Sequence, residues 1–124
     1  MSADNILGVI SVVPVRDFDN ACSWYEKLFG RAPDIVPTDG IAEWQLVQNG
    51  WVQVATDPER AGTANVAILV GDLEAQCNSC ASADLSMGEI VEYSGIVIVA
   101  ETSDPDGNKI SFVQTLSHAS DNDR

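Results

Sequence analysis

The sequence predicts an α+β fold: two tandem βαβββ modules forming a curved open sheet around a cleft, with the helices outside. Three observations carry this. An apolar, β-branched run followed by an aspartate-opened helical pattern occurs twice. Three further strand-like segments follow each helix. Around the helix entrances the copies match at one constant offset, with Val15, Asp17, Phe18 and Cys22 answering to Val70, Asp72, Leu73 and Cys77. Repetition of this kind marks a duplicated unit, each copy too small to cover both faces of its own sheet.

The first strand is read over Ile6 to Val15, ILGVISVVPV, from its β-branched content. Asp17 opens the first helix, because its carboxylate can accept from free N–H groups of the first turn. Asp19 adds negative charge near the positive end of the helix dipole. Phe18, Cys22, Tyr25 and Phe29 follow at helical spacing. Gly30 ends the helix and Pro33 prevents its return. Strands are then expected around Asp34–Thr38, Ala42–Gln48 and Trp51–Thr56, with Asn49-Gly50 as a hairpin turn. The second copy runs from a strand over Ala64–Val70 through a helix opened at Asp72. Its remaining strands are Glu89–Tyr93, Val97–Ser103 and Asn108–Thr115, the last two joined by the turn Asp104-Pro-Asp-Gly-Asn108.

Alternation divides each strand into two faces. Val13 and Val15, Val52 and Val54, Val66, Ile68 and Val70, and Ile110 and Phe112 form uniformly apolar rows suited to helix packing. The opposite rows place Gln53, Asn65 and Ser111 among apolar neighbours. An apolar cleft with a few polar groups is the usual make-up of a small-molecule site.

Composition narrows the partners. The 124 residues suit one domain, with module one at about 6–60, module two at about 64–116 and a tail at 117–124. Nineteen acids against six bases give a net charge of −13. Phosphate backbones and anionic membranes are repelled by such a surface, so neither nucleic acid nor membrane is expected as a partner. A cationic ligand is compatible with it, although acidic residues also serve solubility alone. No apolar run approaches the ~20 residues of a membrane span. The acidic N-terminus lacks a signal-peptide pattern, and three cysteines make no even framework, so a reducing, cytoplasmic setting is expected.

The segment VVPVRDFDNACSWYEKLFGRAPD, the Asp104–Asn108 turn and the paired βαβββ pattern together resemble the vicinal-oxygen-chelate superfamily. That superfamily includes glyoxalase I, extradiol dioxygenases, and fosfomycin and bleomycin resistance proteins. The resemblance spans about Gly8 to Gln114 and implies a single domain of the glyoxalase/bleomycin-resistance fold. It also implies clefts completed by pairing modules between two chains, hence a homodimer. Metal-dependent members draw His, Glu or Gln ligands from four strand positions. Carried over by local motif, these positions hold Ile10, Gln53, Asn65 and Ser111. This set offers no imidazole and no negative charge, whereas a catalytic divalent ion usually takes three strong donors and an open position. No metal or other cofactor is therefore expected, and the bleomycin-resistance-like members are the nearest in character.

Other residues leave alternatives open. Cys77-Asn-Ser-Cys80 is a C-x-x-C, but it begins more than a turn after Asp72, and no second pair completes a zinc site; small core residues are the plainer reading. Trp44 and Trp51 are either core residues or stacking platforms for a flat or cationic guest, and Trp24 is core or interface. Glu101 either faces solvent or points into the cleft, where it would favour a positive charge. The single histidine, His118, lies in the tail, so no Ser-His-Asp or Cys-His arrangement can be built. The expected cleft thus comprises Ile10, Trp44, Trp51, Gln53, Asn65, Glu101 and Ser111. The expected function is metal-free binding and sequestration of a cationic or aromatic compound, as in antibiotic resistance. The alternatives are a glyoxalase-like lyase, isomerase or dioxygenase acting on a small oxygenated substrate, or an interaction module whose cleft is vestigial.

Overall fold

The computed structural model describes residues 5–116. The elements run β1 (Val9–Val15), α1 (Phe18–Phe29), β2 (Ile35–Thr38), β3 (Ile41–Val47) and β4 (Gly50–Thr56). They continue with β5 (Asn65–Leu69), α2 (Leu73–Ser82), β6 (Val91–Tyr93), β7 (Val97–Ser103) and β8 (Lys109–Thr115). This is βαβββ twice. The strands form two four-stranded sheets of equivalent order, β1-β4-β3-β2 and β5-β8-β7-β6. In each, the first strand pairs in parallel with the last, and the remaining pairs are antiparallel.

The helix entrances form as expected. The Asp17 carboxylate accepts from Asn20 N at 3.1 Å, and the Asp72 carboxylate accepts from Ala75 N at 3.0 Å. Gly30 closes α1 at φ 75°, donating its N–H to Glu26 O at 2.8 Å. α2 lacks a glycine stop, and its exit turns through Asp84 at φ 63°. Aspartate is among the few side chains that tolerate this left-handed region. β1 is shorter than the Ile6–Val15 run, because its pairing with β4 begins at Val9 opposite Gly50; Ile6 and Leu7 lie exposed beyond the ladder.

Each helix packs on its own sheet. Val13, Val15, Ala42, Trp44, Val52 and Val54 face α1, whose inner side carries Ala21, Tyr25 and Leu28. Ile110, Phe112, Ala100 and Val66 face α2, with Leu73 and Cys80. Cys22 and Cys77 are half-buried against this core. Burial pushes all three thiols above their ordinary range, which opposes a nucleophilic or redox role for Cys77 and Cys80.

The β3–β4 hairpin differs from its expected turn. Its two loop residues are Gln48 and Asn49, and Gly50 already pairs with Val47. Neither Asn49 nor Gly50 has positive φ. Gly50 is instead a packing glycine: a Cβ there would meet Val47 Cγ2 at 2.8 Å. Between Gln45 and Val47 the register shifts by one, leaving Leu46 as a β-bulge.

Beside this bulge, Asp34 Oδ2 accepts from Gln45 N at 2.7 Å and from Arg31 Nη2 at 2.9 Å. The Gln45 amide, and after it the Arg31 guanidinium, hold the Asp34 carboxyl below the usual aspartate range. A carboxyl whose folded pKa is depressed stabilises the fold above its unfolded value, 3.8, and loses that contribution as pH falls through the folded value. A side-chain carboxyl NMR titration is therefore expected to give Asp34 a midpoint below 3.8. A midpoint at or above that value would mean the bracket does not persist in solution.

Candidate functional site

The helix-free strand faces carry the candidate site. On module one they present Ile10 and Val12, 53% and 52% exposed, beside the half-buried Trp51 and Gln53. Register places Ile10 opposite Trp51, and Val12 opposite Gln53. On the other side of β4, Glu43 stands opposite Gln53, and the Gln53 amide donates to Glu43 Oε2 at 2.7 Å. Module two repeats the pattern. Asn65 lies opposite Lys109, Ala67 opposite Ser111, and Glu101 opposite Ser111 on the other side of β8. Here the contacts are looser: Ser111 Oγ donates to Glu101 Oε2, and Lys109 Nζ to Glu101 Oε1, each at 3.4 Å. Glu101 is exposed, so this pair adds little stability and leaves the carboxylate available.

Six of the seven residues expected at the cleft thus lie on the helix-free face. Trp44 does not, and this corrects the expectation. It is fully buried, packs against Tyr25 and Phe29 with ring centroids 6.1 and 5.6 Å away, and donates Nε1–H to Arg31 O at 3.0 Å. The physical reason is the bulge at Leu46. Without it Trp44 would pair with Gln53 and share its face; with it Trp44 pairs with Val52 and turns to the helix. Sequence reading also missed Glu43. The signal was present in the Ala42-Glu43-Trp44 alternation, but it points to the site only once the register is known.

Where the modules meet, β1 and β4 face β5 across a slot of about 320 Å3. Its walls include Ser11, Trp51 and Val52 on one side and Val66, Ile68 and Leu69 on the other. Hollows of about 360 and 450 Å3 also lie at the C-terminal end of α1, near Lys27 and Gly30, away from the strand faces. Among the described residues no three His, Cys, Asp or Glu side chains converge as a metal site would require. The residues at the four carried-over positions do not fit a catalytic divalent ion, since Ile10 has no donor and the other three are neutral. His118 lies outside the described residues. No helix among them is long and apolar enough to cross a membrane.

Two βαβββ modules with polar and apolar side chains on their helix-free faces define a protein of the vicinal-oxygen-chelate class. Comparison with solved structures places the chain within that class. It is similar to a glyoxalase/bleomycin resistance protein from Catenulispora acidiphila DSM 44928 at 30% identity, with TM-score 0.84, over 89% of this chain and 99% of that one. It therefore belongs to the glyoxalase/bleomycin resistance protein family. It shares the fold of TnmS3, an antibiotic-binding protein from Streptomyces sp. CB03234, at 19% identity, with TM-score 0.72, over 88% of this chain and 95% of that one. It also shares the fold of a bleomycin-binding protein solved with bleomycin, at 19% identity, with TM-score 0.73, over 87% and 98% of the two chains. No family sequence model and no curated protein sequence matches the chain.

Proposed function

We propose that this chain binds and sequesters a small cationic or aromatic compound against its helix-free strand faces, without a metal ion. One observation carries the reading. At the positions where metal-dependent relatives place ligands stand Ile10, Gln53, Asn65 and Ser111, while a glutamate stands across from each of Gln53 and Ser111. A carboxylate beside apolar surface and an indole (Glu43 with Ile10, Val12 and Trp51) suits a positively charged, flat guest. The net charge of −13 would draw such a guest in. Proteins of the same fold that bind an antibiotic and bleomycin support a small-molecule ligand. The cleft is completed by a second copy of the chain: Ile35 and Val36 on β2 and Val91 and Tyr93 on β6 are exposed on strands at the outer edges of the sheets. The alternative, a glyoxalase-like lyase, isomerase or dioxygenase, would need either a divalent ion held through unorthodox ligands, such as Glu43 or Glu101 with Gln53 or Ser111, or a metal-free acid–base mechanism.

Two measurements separate these readings. Thermal melts of chelator-treated protein with Mn, Fe, Co, Ni or Zn ions are expected to show no shift. A folded-state ligand at a hundredfold excess over Kd adds about 2.7 kcal/mol, so a saturable rise would sink the metal-free reading. Titration with metal-free bleomycin and a panel of cationic aromatic compounds is expected to quench Trp51 fluorescence. Glu43→Gln is then expected to weaken binding of the best compound about tenfold, or about 1.4 kcal/mol. Wild-type affinity in both Glu43→Gln and Glu101→Gln would remove both carboxylates from the site.

A further inference from the structure

The two modules are separate hydrogen-bonded units. No ladder joins β1 to β5, and each helix packs on its own sheet. Among the described residues three hydrogen bonds join the modules, and all three end on the Asp104–Asn108 turn. Tyr25 OH donates to Asp104 Oδ2 at 2.8 Å. Arg16 N donates to Asp106 Oδ2 at 3.0 Å. Asn108 Nδ2 donates to Pro14 O at 2.7 Å. We propose that this turn is a latch that fixes the orientation of module two against module one, and with it the width of the slot between β1 and β5.

The turn is built to be stiff. The Asp104 carboxylate takes four donors: Tyr25 OH and the Asn108 amide on one oxygen, and the backbone N–H groups of Asp106 and Asn108 on the other. Asn108 is fully buried and also accepts from Ala64 N at 2.9 Å, tying the turn to the start of β5. Gly107 sits at φ 95°, a conformation that side chains rarely adopt. Burial, and then the neighbouring carboxylate of Asp104, push the Tyr25 phenol far up, so it stays a donor. The inter-module linker packs on the same turn: a Cβ on Gly62 would press into the Asp106 carbonyl. The apolar core is continuous across the seam, where Leu46, Ile68 and Phe112 line one hollow, so packing also constrains the docking and the latch adds directional bonds to it. Module one has no counterpart, because its β3–β4 turn is only Gln48 and Asn49. A duplicated fold has therefore acquired one asymmetric latch.

The proposal is independent of what the cleft binds. Its test is backbone amide residual dipolar couplings on the full chain, wild type against Tyr25→Phe/Asp106→Ala. That double variant removes two of the three inter-module bonds and keeps those within the turn. In the wild type one alignment tensor is expected to fit both modules. In the double variant each module is expected to fit its own structure still, but with two different tensors. A folded double variant fitted by one tensor at the wild-type orientation would overturn the latch. Should it not fold, Asp106→Ala alone is measured in the same way: a weaker alignment of one module relative to the other supports the latch, and an unchanged common tensor overturns it.

Discussion

Replacing Trp44 with alanine is expected to destabilise the fold by about 4 kcal/mol, the range found for removing a buried indole or phenyl ring. The side chain is fully buried, so little of the void can be filled by solvent-side rearrangement. The loss also unpairs the Arg31 carbonyl that its indole N–H reaches. Urea unfolding is the measurement, with a lower midpoint at unchanged slope as the expected result. Trp51→Ala provides the contrast. Its ring is half-buried on the helix-free face, so it is expected to lower affinity for a bound aromatic compound with a smaller stability loss. Were Trp44→Ala to weaken binding at near wild-type stability, the assignment of Trp44 to the core would fail.

Asp104→Ala is expected to lose about 4 kcal/mol as well. It strips the buried donors of Tyr25 and Asn108, and the half-buried N–H of Asp106, of their acceptor at once. Each such orphaned group costs about 1–3 kcal/mol, partly relieved by water reaching the turn. Against a total stability of about 5–15 kcal/mol this is a large fraction. Asp104→Asn keeps one carbonyl acceptor and is expected to lose about half as much by the same reasoning. Both are read from thermal or urea midpoints. Ser111→Ala serves as the control: its hydroxyl makes only the 3.4 Å contact to Glu101, so near-neutral stability is expected. If Asp104→Ala matched Ser111→Ala, the turn would be a surface hairpin and not a buried joint.

These two residues mark where sequence reading works and where it stops. Local features were legible because they depend on near neighbours. Asp17 and Asp72 cap the helices, Gly30 ends α1, and alternation along β1, β4, β5 and β8 separates core from cleft. The duplication and the residues at the four carried-over positions were equally legible, and with them the family.

The Asp104–Asn108 turn was recognised as a signature, but its long-range partners, Pro14, Arg16 and Tyr25, are set by how the modules dock. The sheet face of Trp44 was likewise beyond local pattern. A strand has a two-residue period, so one bulged residue at Leu46 inverts every side chain beyond it. That inversion sent Trp44 into the core and brought Glu43 to stand opposite Gln53. By itself the sequence determined two βαβββ modules and the residues, Ile10, Gln53, Asn65 and Ser111, that stand at the four carried-over positions. The tertiary structure alone decided which indole and which carboxylates lie on the helix-free faces, because register and docking depend on pairing between distant segments.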